Sequence, residues 1–130
     1  LTAFYIREVL MSKILLVEDE FLILEAVKEF LEMEGHSVFA ATTGNDMLRI
    51  LMDQNGGIDL VFLDLTLPDM NGLDLIPKLI VDYPALKVVI WSGALPDELK
   101  FEDQPFIKAV LSKPFDLWEL RKIIDRILGE

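Results

Sequence analysis

A few side chains in this 130-residue sequence are suited to holding or moving a charged group, and each follows a short apolar run. Glu18, Asp19 and Glu20 follow KILLV, Asp64 ends the run 58–63, Ser92 follows KVVIW, and Lys113 follows the run 107–111 across Ser112. Short runs of branched side chains between turn residues read as strands buried on both faces. Ligands of an open parallel sheet bind at the carboxyl ends of its strands, where all of these residues fall. Three carboxylates in one crevice repel, and each resists ionisation unless a cation intervenes. Carboxylate, carbonyl and water oxygens together suit octahedral Mg²⁺. With a lysine as point charge and a hydroxyl as neutral donor, the set makes a cradle for a phosphoryl group.

Taken singly, the same residues have plainer roles. Asp64 serves as a turn cap, and Glu18-Asp19-Glu20 as an acidic helix start favoured by the dipole. Ser92 is then a turn former and Lys113 a solvated surface charge. Their common place at the ends of strands is what favours the chemistry.

The elements that must position them alternate along the chain. Strands are expected at 13–17, 37–41, 58–63, 87–91 and 107–111. A helix over 20–33 places Leu22, Ile23, Ala26, Val27, Phe30 and Met33 on one side, and Gly35 stops it. The next begins at Thr43-Gly44-Asn45, buries Met47, Leu48, Ile50 and Leu51, and ends at Asn55-Gly56-Gly57. The loop 65–71 is pinned by Pro68 and Gly72. A helix follows over 73–81, its regular part starting near Ile76 because Pro77 suits only a first turn. The segment 95–104, flanked by Pro96 and Pro105, has a weak helical pattern. Asp116 caps a last helix to Leu128, buried along Leu117, Leu120, Ile124, Ile127 and Leu128. Five alternations of strand and helix predict an α/β fold, a doubly wound five-stranded parallel sheet with helices on both faces and right-handed crossovers.

Composition narrows the function. An apolar content of 52% is enough for a full sheet between helix layers. A chain without cysteine has no disulfide or thiolate chemistry, which fits a reducing compartment. His36, the single histidine, rules out a multi-histidine metal site and reads as a residue of the turn before the second strand. The net charge of −11, with no basic patch, argues against nucleic acid and anionic membrane. No apolar run approaches the roughly 20 residues of a membrane span. Residues 1–10 are expected to be an extension or remnant preceding a single domain at 11–130. Trp118 falls off the buried stripe of the last helix, as a docking or homodimer contact or a ring lying over its neighbours.

The motifs LLVEDE, FLDLTLPDMNG, VVIWSGA and LSKPF, in this order, resemble the response-regulator receiver domain of two-component signalling over 11–129. The resemblance implies the flavodoxin-like receiver fold and a cytoplasmic phosphorelay role. Asp64 would be the phosphoacceptor, taking the group from a histidine kinase or histidine phosphotransfer protein. Mg²⁺ would be held by Asp19, Asp64 and the backbone carbonyl of Thr66, with Glu18 supporting it through water. Lys113 would pair with Asp64 and then with phosphoryl oxygen, and Ser92 would donate its hydroxyl to that group. A cis Lys113–Pro114 bond is also implied. The sequence departs from the family at Val110, where an aromatic residue commonly relays the signal. Two alternatives remain. One is a receiver-like binding module independent of phosphate. The other is a phosphatase of the haloacid-dehalogenase type, which needs a second acid where Thr66 stands.

Overall fold

The computed structural model describes residues 12–93 and 105–129. Strands β1 (Lys13–Val17), β2 (Ser37–Ala41), β3 (Leu60–Leu63), β4 (Lys87–Ser92) and β5 (Ile107–Ser112) form one sheet in the order β2-β1-β3-β4-β5. Every neighbouring pair is parallel. Helices α1 (Phe21–Met33), α2 (Gly44–Asp53), α3 (Gly72–Asp82) and α4 (Leu117–Leu128) cover it. The expected extension 1–10 and the segment 95–104 lie outside the described residues.

Side chains alternate across a strand, and here the alternation divides the core into two layers. Leu15, Val17, Val61, Leu63, Val88 and Ile90 pack with Met47 and Leu51 of α2 and Leu75, Ile76 and Leu79 of α3. Their neighbours Ile14, Leu16, Leu60, Phe62, Val89 and Trp91 pack with Leu24, Val27 and Leu31 of α1 and Leu120, Ile124 and Ile127 of α4. The doubly wound expectation therefore holds, with α2 and α3 on one face and α1 and α4 on the other. Between β1 and β3 the strand order reverses, which opens a crevice at their carboxyl ends.

Several details differ from the sequence reading. The buried stripe of α1 is Leu24, Val27 and Leu31, while Leu22 and Met33 are both 81% exposed. Both stripes fit a helical period, and contact with β1 selects the one seen. Leu117 at the start of α4 is likewise half out of the core. Helix α3 begins at Gly72 rather than near Ile76, because the Asn71 side chain accepts from the Leu73 N–H at 2.9 Å and caps it. Pro77 is carried inside the helix. His36 does lie in the turn before β2, but it is buried, and its Nδ1 has no hydrogen-bond partner among the described residues.

The loop from β3 to α3 is drawn tight. The Gly72 N–H donates to the Leu65 carbonyl at 2.8 Å, and Thr66 and Asn71 form an antiparallel bridge. A Cβ on Gly72 would lie 2.5 Å from the Asp64 carbonyl oxygen, so the close approach itself demands glycine.

Candidate functional site

Glu18, Asp19, Glu20, Asp64, Thr66, Ser92, Gly93 and Lys113 line one hollow of about 320 Å³ at the carboxyl edge of the sheet. A larger hollow of about 400 Å³ at the opposite edge is lined by Asp59, Asp82, Tyr83 and Lys87, away from the switch in strand order. Parallel pairing aligns Val17 with Leu63 and Leu63 with Ile90, so the residues that follow β1 and β3 leave the sheet side by side.

Carboxylate oxygens of Glu18, Asp19 and Asp64 lie within 4.8 Å of one another. Glu18 is fully buried, Asp64 is 4% exposed, and Asp19 faces solvent. Lys113 stands between two of them. Its Nζ donates to Asp64 Oδ2 at 3.0 Å and to Glu18 Oε1. The second oxygen of each carboxylate is also engaged. Asp64 Oδ1 accepts from the Thr66 N–H at 3.0 Å, and Glu18 Oε2 from the Glu20 N–H at 3.1 Å. Ser92 is buried at the end of β4. The Lys113–Pro114 bond is cis.

Burial pushes the Glu18 carboxyl above its ordinary range, opposed by the hydrogen bond and charge of Lys113. At Lys113 burial works toward a lower pKa, but the hydrogen bonds and charges of Glu18 and Asp64 outweigh it, and the ammonium is held more firmly protonated. The donor set fits Mg²⁺: carboxylates converge from two adjacent strand ends, one of them reaches solvent, and among the described residues a single ammonium, that of Lys113, leaves the cluster net negative.

The residues singled out from sequence thus come together around one hollow. Val110 lies apart from them, partly buried against the layer of α2 and α3. Trp118 is 66% exposed, and the Arg121 guanidinium lies 5.5 Å from its ring centroid. Sequence reasoning missed Asp69. Its two oxygens accept from the Gly44 and Asn45 N–H groups at 2.8 and 3.0 Å, tying the β3–α3 loop to the start of α2. Those bonds hold its carboxyl below the usual range. Nothing local marks it, since Asp after Pro68 is also an ordinary turn residue.

Comparison with known proteins agrees with this geometry. The response regulator receiver domain family matches residues 14–125. The chain is 36% identical over 121 residues to the transcriptional regulatory protein CrdR of Helicobacter pylori, covering 92% of this chain and 56% of that protein. It is 30% identical over 125 residues to the sensor kinase CckA of Brucella abortus, covering 90% of this chain and 12% of the kinase. It therefore spans about half of the first relative and a small part of the second. A response regulator receiver domain (CheY-like) from Methylobacillus flagellatus superposes with a TM-score of 0.76 at 34% identity, over 90% of this chain and 98% of that one. The non-phosphorylated HemR receiver domain from Leptospira biflexa gives 0.83 at 28% identity, over 92% and 95% of the two chains. With its parallel sheet, its acidic crevice and a family match over nearly its whole length, the chain belongs to the response regulator receiver domains.

Proposed function

We propose that Asp64 is the phosphoacceptor of this receiver and that a phosphohistidine on a histidine kinase or phosphotransfer protein is the donor. A carboxylate oxygen of Asp64 attacks phosphorus as the phosphorus–nitrogen bond breaks. The imidazole leaves, and an acyl phosphate remains on Asp64. The observation that carries this reading is Lys113 Nζ, 3.0 Å from Asp64 at the mouth of a crevice that also gathers Glu18 and Asp19. In that position the ammonium passes from carboxylate to phosphoryl oxygen with little movement, supplying positive charge where negative charge develops. Ser92, at the end of β4, offers its hydroxyl to the transferred group. The Thr66 N–H orients Asp64 through Oδ1. Glu18 keeps Lys113 in register.

Mg²⁺ would be held by Asp19, Asp64 and the Thr66 carbonyl, with Glu18 supporting it, and would neutralise phosphoryl oxygens during transfer. The donor protein has to reach the carboxyl edge of the sheet. Phe21 and Leu22 at the start of α1 and Leu117 and Trp118 at the start of α4 are exposed apolar side chains beside that edge, suited to docking it. The same surface is available to a second copy of the chain. Among the described residues no helix is long and apolar enough to cross a membrane. A haloacid-dehalogenase-type phosphatase would need an acid at Thr66.

Incubation with acetyl phosphate and Mg²⁺, followed by intact-mass measurement, tests the assignment. One phosphate adduct is expected on the unsubstituted chain and none on Asp64→Asn. An equal adduct on the Asn variant would remove Asp64 from its role. No adduct on either chain would favour a phosphate-independent binding module.

A further inference from the structure

Trp91 heads the fully buried side chains by volume, and the proposed chemistry makes no use of it. Its indole N–H donates to the Val17 carbonyl at 3.0 Å. The same carbonyl accepts the Asp64 N–H at 3.2 Å. Strands β1 and β4 are not neighbours, since β3 lies between them. The indole bond therefore ties the end of β1 to β4 across the strand that carries Asp64.

The ring makes three more contacts of the same kind. It meets Phe62 at a centroid distance of 5.3 Å, just before Asp64 in β3. It stacks on Phe115 at 5.8 Å with the planes 22° apart, just beyond Lys113. The Lys113 Nζ itself lies 5.9 Å from the ring centroid, within the range where the electron-rich face of an indole attracts a cation. Ser92 is the next residue in the chain. One rigid side chain thus touches the flank of each strand end that supplies the hollow.

A leucine at this position would leave part of the space empty, and it could neither donate to Val17 nor draw an ammonium. Both lone pairs of the Val17 carbonyl are used, one by the backbone of β3 and one by Trp91, so the step from Val17 to Glu18 and Asp19 is fixed relative to Asp64. The stack on Phe115 fixes the other side of the site, where Lys113 leaves β5.

We propose that Trp91 is a positioning residue for phosphoryl transfer. Its N–H sets the height of the β1 carboxylates against Asp64, and its ring holds the Lys113 segment in reach of both. The role rests on Asp64 as the acceptor, and the test separates the two. Trp91→Phe keeps an aromatic ring against Phe62 and Phe115 but removes the donor. Trp118→Phe leaves Trp91 as the single tryptophan, so emission reports on it alone.

The phosphorylation rate with acetyl phosphate and Mg²⁺ is expected to fall about tenfold in Trp91→Phe while the chain stays folded, because a misplacement well under 1 Å is enough for such a loss. In Trp118→Phe, Trp91 emission is expected to change when Mg²⁺ and beryllium fluoride are added, as Lys113 exchanges partners beside the ring. A rate loss of about threefold or less in a folded Trp91→Phe chain overturns the proposal. If phenylalanine at 91 prevents folding, the emission decides: a change supports the role and constancy overturns it. A missing adduct on the unsubstituted chain would overturn the Asp64 assignment, and this role with it, whereas an adduct formed at an unchanged rate on Trp91→Phe overturns the positioning role alone.

Discussion

Replacing Gly72 by alanine tests how closely the β3–α3 loop governs the site. The added Cβ would lie 2.5 Å from the Asp64 carbonyl oxygen and 2.8 Å from the Leu65 Cα. Both are backbone atoms, so no side chain can swing away. The methyl and the oxygen must separate by about 0.9 Å to reach ordinary contact at 3.4 Å. Gly72 is not among the glycines with positive φ, so crowding alone opposes the substitution. Overpacking of this kind costs about 1–3 kcal/mol. For a chain of this size that lowers the thermal midpoint by about 3–5 °C per kcal/mol. The effect on phosphorylation is larger, because the displaced atoms belong to Asp64 and Leu65 themselves. A shift near 1 Å at a reacting group is worth about 10²-fold in rate. The assay is the time course of the phosphate adduct by intact mass, beside thermal unfolding of the same sample. A Gly72→Ala chain that gains phosphate within about twofold of the original rate would refute the claim that this contact sets the position of Asp64.

Other substitutions probe separate contacts. Lys113→Met leaves Glu18 fully buried beside Asp64 without its counter-charge, and is expected to destabilise the chain by about 3 kcal/mol in urea titrations with EDTA present. An unchanged midpoint would count against Lys113 as the charge that holds the carboxylates together. Burial lowers the His36 pKa against the opposing pull of Glu34 and Asp125, so the unfolded chain takes up a proton at that residue before the folded chain does. Stability should therefore fall as pH drops below about 6.5, by up to about 1 kcal/mol at pH 5.5. His36→Phe, compared across the same pH range by urea titration, should remove that part of the slope, and identical slopes would contradict it. Asp69→Ala frees the Gly44 and Asn45 amides, whose hydrogen exchange should accelerate relative to the rest of α2. Unchanged protection would mean that the tie contributes nothing in solution.

Much of this arrangement could be read before any coordinates. Apolar runs such as LVFL and KVVIW, separated by segments of helical period, are enough to write a parallel sheet between two helix layers. The site was legible for a related reason, since Glu18, Asp64 and Lys113 directly follow their strands and Ser92 ends its own. What escaped was set by contacts distant in sequence. Leu22 and Leu24 both fit a helical stripe, and only the approach of α1 to the sheet decides that Leu24 is buried. Trp91 reads as one more apolar strand residue until Val17, Phe62 and Phe115 surround it. His36 occupies a turn in the sequence, yet the packing of α4 against α1 closes over it. Asp69 belongs to one loop and serves the helix that follows another.

The division of the core has a consequence for how such a chain can vary. Adjacent positions on a strand answer to different helix pairs, so Ile14 is constrained by one neighbourhood and Leu15 by the other. A substitution that repacks the underside of α2 and α3 need not disturb the fit of α1 and α4. The two outer surfaces are thereby free to diversify separately, each acquiring its own contacts, while the crevice between β1 and β3 keeps its dimensions.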